Sequence, residues 1–167
     1  MSYRFIHLTE MYNKELLELF DSAYFGSEAF RISRGTDFFA LSNELGHATY
    51  YGVLKNNTLA AVLAVTEQQR YIRGSIQKTF YMHDLRMHPV HGTVVAYYRL
   101  LSGVNDIYTR TPDCKWTFSI ILEANPNMTA ITKGKTLFPA ATQIGTILHV
   151  GFPLFYGTKS IIKTYNR

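Results

Sequence analysis

Two periods of hydrophobic and polar residues alternate along the chain, and each change of period marks an element boundary. Residues 3–8 alternate as a first strand. Thr9 then caps a helix with the apolar stripe Met11, Leu16, Leu17, Leu19, Phe20 and Tyr24, ending near Gly26. Residues 27–36 are polar and read as a loop. Thr36 or Asp37 caps a second helix through Phe38, Phe39, Leu41 and Leu45, stopped at Gly46. Residues 49–54 and 59–65 are strands around Asn56-Asn57, a pair that tolerates positive φ and predicts a tight hairpin. The second of them is apolar on both faces, so it belongs in the middle of a sheet. Residues 67–76 are polar and read as a connection, with a short edge strand at Tyr71-Ile72. Phe80, Met82 and Leu85 sit among polar neighbours in the next strand, which Pro89 stops because it has no N–H to donate. Val94, Val95, Tyr98, Leu100 and Leu101 then give the stripe of an amphipathic helix, followed after Gly103 by a polar loop around Thr111-Pro112-Asp113. Residues 116–122 form another apolar strand, 123–127 a turn and 128–133 a short helix ended by Gly134. Two strands follow, at 143–150 and 158–165.

The resulting order is β-α-α-β-β-β-α-β-α-β-β. It predicts a mixed sheet with helices on its faces, an α/β (α+β) fold. At 167 residues the chain reads as a single domain, 1–167. The net charge of +5 favours anionic partners, but the basic residues form no run. Nucleic acid is therefore not favoured, because it needs basic and aromatic residues gathered on one face, which strand periodicity does not display. One cysteine excludes an intramolecular disulfide framework and a cysteine-based zinc site. Cys114, beside Asp113 and Lys115 in a loop, reads as an inert exposed thiol. No segment approaches the ~20 apolar residues of a membrane span, and the first ten residues lack a signal-peptide core, so a cytoplasmic protein without a membrane partner is expected. The histidines give one cluster, His83, His88 and His91, without paired ligands at helical spacing, and no metal is expected.

The stretch 79–101 carries the most chemistry. A strand that feeds a glycine-bearing loop and a helix N-terminus can hold an anion, because the first helical N–H groups lack intrahelical partners. Its sequence Asp84-Leu85-Arg86-Met87-His88-Pro89, with Arg99-Leu100-Leu101 beyond the loop, resembles motif A of the GCN5-related N-acetyltransferases, the GNAT superfamily. Asn125-Pro126 with Ala130 resembles the N-P-x-A that starts a later helix of that family. The resemblance implies an acetyl-CoA-dependent N-acyltransferase, in which the amine of a small-molecule or peptide acceptor attacks the acetyl thioester directly. It implies that Leu85, Arg86 and Met87 pair with the pantetheine arm and that His91, Gly92, Thr93, Val94 and Val95 wrap the pyrophosphate. It also places Asn125 beside the thiol. Two departures keep a second reading open, a GNAT-fold binding or regulatory module without catalysis: the loop has one glycine and no arginine, and no tyrosine stands near Thr132.

Acetyl transfer needs a base for the amine and donors for the oxyanion. Backbone N–H groups near residues 85–87 suit the second role. For the base, Glu123 comes first, at the C-terminal end of a strand where open sheets place ligands. A solvated strand-end carboxylate is the alternative. Asp84 and His83 come next, since strand alternation turns one of the two toward a cleft; an ordinary strand pair is the alternative. Phe152, Phe155 and Tyr156 could pair with a second copy as a homodimer.

Overall fold

The structure is a computed structural model and describes residues 2–22, 34–111, 113–114 and 116–120. Its elements are β1 (Tyr3–Leu8), α1 (Asn13–Ser22), α2 (Ala40–Leu45), β2 (His47–Lys55), β3 (Thr58–Ile72), β4 (Ser75–Met87), α3 (Val94–Thr109) and β5 (Trp116–Phe118). This is the α+β arrangement expected, with its first eight elements in the expected order. The later helix and the last two strands, with Glu123, Asn125 and the aromatic residues 152–156, lie outside the described residues.

The five strands form one sheet in the order β1-β2-β3-β4-β5, antiparallel except for the parallel pair β4–β5. β3 is central because residues 59–64 are buried on both faces. On one face Leu8, Tyr50, Leu54, Val62 and Ala64 pack under α1 and the turn that precedes α2, through Leu16, Leu19 and Phe38. On the other Val53, Ala61 and Leu63 pack under Ala96, Leu100, Leu101 and Val104 of α3. Asn56 and Asn57 both have positive φ, 49° and 68°, as a two-residue hairpin requires.

Several expectations are corrected. Residues 67–76 are not a connection: β3 and β4 run through them as a long two-stranded arm, turning only at Arg73 and Gly74, both at positive φ. The ladder supplies their backbone partners, so a polar composition is no obstacle to strand structure. Phe38 and Phe39 precede α2 instead of opening it. Asp37 accepts the Phe39 N–H at 2.9 Å and makes a local turn there. α3 does not end at Gly103; a Cβ there would lie 2.5 Å from the Phe5 ring, so the glycine lets β1 press against the helix. Cys114 is buried, with its Sγ 3.4 Å from the Trp116 carbonyl oxygen, and burial pushes the thiol pKa up. The strand expected at 116–122 is in the ladder only over Trp116–Phe118; Ser119 and Ile120 are outside it.

Candidate functional site

The site is built where the β4–β5 ladder ends among the described residues. The parallel pairing covers Thr79 to Tyr81 on β4 and stops at the pair Tyr81–Phe118. Beyond it β4 stays bonded to β3, through Arg86–Val62 and Met87–Ala61. The His88 N–H donates to the Ala60 carbonyl at 2.9 Å. Successive strand residues turn their amides to opposite sides, so Leu85 and Met87 direct theirs away from β3, toward an edge with no ladder partner among the described residues.

The ladder slips between Val62–Arg86 and Ala64–His83, with one extra residue on β4. The bulged residue is Asp84, at φ 54°. Alternation would have placed His83 and Asp84 on opposite faces; the bulge puts both on the α1–α2 face, where each reaches Tyr50. Asp84 Oδ1 accepts from Arg34 Nη2 at 2.5 Å. Its Oδ2 accepts from the Tyr50 hydroxyl at 2.9 Å and lies 3.1 Å from His83 Nδ1. Ser42 hydrogen-bonds the Tyr50 hydroxyl, and Thr66 Oγ1 lies 2.8 Å from His83 Nε2. The Arg34 and Asp84 side chains are only 9% and 11% exposed. Burial alone would raise the Asp84 pKa, but the His83 hydrogen bond and the Arg34 charge outweigh it and hold the carboxyl below its ordinary value. Burial, reinforced by the Asp84 charge, pushes the Tyr50 phenol well up. Both ring nitrogens of His83 and both oxygens of Asp84 are thus engaged inside the protein. Arg86 joins the same face, buried, its guanidinium 4.4 Å from the centre of the Phe20 ring.

The loop after β4 is organised by His88. Its Nδ1 accepts the N–H groups of Val90 and His91, both at 3.0 Å, and its carbonyl accepts the Gly92 N–H at 2.8 Å. Thr93 is the N-cap of α3; its Oγ1 accepts the Ala96 N–H at 3.1 Å and is 3.1 Å from the Tyr3 hydroxyl. The N–H groups of Thr93, Val94 and Val95 have no partner among the described residues. Of the five loop residues expected around a pyrophosphate, His91 and Gly92 therefore shape the turn, while Thr93, Val94 and Val95 present donors. Burial, followed by the nearby His91, lowers the His88 pKa from its ordinary 6.5. Neutral Nδ1 is what the two amides require, so loop stability from these bonds is present above about pH 6.5 and is lost as pH falls through the lowered value. His88→Ala should release both amides, at about 1–3 kcal/mol. His88→Asn should keep them, because an Asn oxygen bonds amides two and three residues on. It should also erase the acid step. Amide exchange at Val90 and His91 across pH 5–8 measures both effects, and equal protection in the alanine variant would refute the latch.

Sequence reasoning missed Arg34, Ser42, Tyr50 and Thr66, which meet Asp84 and His83 only through the fold. The His88 latch had a signal, an acceptor side chain two and three residues before loop amides. Among the described residues no group of three or more His, Cys, Asp or Glu is placed to hold a metal ion. No described helix is long and apolar enough to cross a membrane.

No protein-family model and no curated protein matches the sequence. Solved structures do match the fold. A transcriptional regulator from Bacillus halodurans superposes with a TM-score of 0.68 at 12% identity, over 89% of this chain and 100% of that one. A ribosomal-protein-alanine N-acetyltransferase from Brucella melitensis gives 0.65 at 14% identity, over 91% and 100%. AAC(6')-Iy, in complex with the bisubstrate analogue CoA-S-monomethyl-acetylneamine, gives 0.61 at 10% identity, over 90% and 100%. The chain has the GNAT fold.

Proposed function

We propose that this GNAT-fold chain is an acyl-CoA-dependent N-acyltransferase that moves acetyl from acetyl-CoA to an amine. The observation that carries the reading is the β4 edge away from β3: the Leu85 and Met87 amides face it with no ladder partner among the described residues, and the amides of Thr93, Val94 and Val95, also without a partner among the described residues, lie a few residues on. Backbone at Leu85 and Met87 would pair with the pantetheine arm and donate to the oxyanion, while Arg86, expected there too, has its backbone turned to β3 and holds the strand in the ladder; the start of α3 would take the pyrophosphate. Asn125 is assigned to the thiol arm. The amine nitrogen attacks the thioester carbonyl carbon, its proton passes to a base, the C–S bond breaks, and the thiolate leaves with a proton. Glu123 remains the candidate base. Asp84 and His83, engaged as they are, hold the bulge that aims the β4 edge. The acceptor is an amine of a small molecule or peptide, and a cytoplasmic setting suits acetyl-CoA as donor.

Calorimetry with acetyl-CoA at moderate salt tests the reading, followed by thiol release with a panel of amines. Micromolar binding with amine-dependent thiol release is expected, and absence of binding would overturn it. A second reading, a binding or regulatory module, is favoured by the internal bonds that tie up the Val90, His91 and Gly92 amides. Binding without release for every amine would select it.

A further inference from the structure

We infer that the acceptor amine carries an anionic group, a carboxylate or phosphate, received by Arg70 and Arg73 on the β3–β4–β5 surface. The inference rests on the acyltransferase reading for the word acceptor, and on the following geometry for the anion.

β2 ends its pairing at His47–Glu67, so β3 and β4 continue past it as the free arm. Residues paired across a ladder share a face. Thr66, Gln68 and Arg70 of β3 therefore share one face with Gln77, Thr79, Tyr81 and His83 of β4 and with Trp116 and Phe118 of β5. A stack runs along this face. The Arg70 guanidinium lies 4.2 Å from the Phe118 ring centre; Phe118 stacks on Tyr81 at 4.9 Å, and Tyr81 on His83 at 4.9 Å. Arg73 lies over Trp116 at 5.4 Å. The stack ends at His83, beside the bulge and the last described β4–β5 pair, which is where an acyl group on the β4 edge would be offered.

Charge decides what this surface receives. Glu67 pairs with Lys78 at 2.8 Å on the opposite face, Asp113 acts on that same lysine, and Asp84 is held by Arg34. Arg70 donates only to the neutral Gln68 amide, through Nε and Nη2 at 3.1 and 2.8 Å, and Arg73 meets only the Trp116 ring among the described residues. Both arginines are exposed, and neither has a carboxylate partner among the described residues. A guanidinium laid on a ring is oriented, and with the Nε–Nη2 edge of Arg70 on Gln68 its Nη1–Nη2 end remains, a geometry that binds a planar anion in two places. The ring faces of Tyr81 and Phe118 are already covered within the stack. They present edges, which carry partial positive charge, and leave no platform for a nucleobase.

The test compares ethanolamine with O-phosphoethanolamine and β-alanine, three primary amines that differ in the anion. Binding is followed by NMR titration and acetyl transfer by thiol release, in the wild type, Arg70→Gln and Arg73→Gln. At least one anionic amine should be preferred by about tenfold or more, and the two anions identify which group is taken. Arg70→Gln should abolish the preference and leave acetyl-CoA affinity unchanged. Equal binding of all three, no binding at millimolar concentration, or a preference that survives both variants would overturn the inference. So would an arginine-dependent affinity for oligothymidylate without discrimination among the amines. If acetyl-CoA fails to bind while the arginine-dependent preference persists, the acyltransferase reading falls and the anion site stands.

Discussion

Asp84→Ala is expected to destabilise the protein by about 3–5 kcal/mol, the cost of leaving a buried charge without its partner. Arg34 would lose its carboxylate at 9% exposure, and the Tyr50 hydroxyl and His83 Nδ1 would lose their shared acceptor. Alanine must also hold φ 54°, which disfavours any residue with a Cβ by about 1–2 kcal/mol. Asp84→Gly separates the two effects: it accepts the backbone but supplies no carboxylate, so it should recover only about 1 kcal/mol of the loss. Asp84→Asn keeps an acceptor and tolerates positive φ, and should be the mildest of the three. Urea unfolding ranks them, and an alanine variant within about 1 kcal/mol of wild type would show that the pair is solvated. Because the folded pKa is below its ordinary 3.8, the carboxylate's contribution is present above that value and lost as pH falls through the lowered one. The alanine and glycine variants should therefore have a flatter acid limb below about pH 4. Acetyl-CoA affinity should fall with them, since the same bulge sets the direction of the Leu85 and Met87 amides.

Gly92→Ala is expected to lower acetyl-CoA affinity by about tenfold or more while costing about 1–3 kcal/mol of stability. A Cβ at this position would lie 2.4 Å from the His88 carbonyl oxygen and 3.2 Å from the His88 nitrogen, both backbone atoms. The Gly92 N–H donates to that same carbonyl, so the turn cannot open there without losing its closing bond. The requirement is for space and not for a left-handed backbone. Gly103→Ala is the control: it should destabilise comparably, through the Phe5 ring, with acetyl-CoA affinity unchanged. If both variants bind acetyl-CoA like wild type, the His88 loop is not the cofactor loop.

Local chemistry made part of this legible. Asn56-Asn57 announced its hairpin because few residue pairs accept two positive φ values. The apolar run in β3 announced a central strand because only burial on both faces tolerates it. The strand, turn, loop and helix start within 79–101 could be read because they are contiguous and each is a short-range signal. The arm at 67–76 was misread because its polar residues lie beyond the helices, where a sheet face need not be apolar and periodicity carries no sign. Cys114 was misread because a loop position does not reveal that neighbouring strands cover it.

By itself the sequence determined the order of the described elements, the strand that lies at the centre, and the hairpin at Asn56-Asn57. These depend on interactions over a few residues, whose geometry residue type dictates. The tertiary structure alone decided that His83 and Asp84 share a face, that Arg34 and Tyr50 hold the carboxylate, and that Arg70 stacks on Phe118. A one-residue bulge inverts every facing beyond it, and partners some 30 to 50 residues apart meet only when the sheet has set their register.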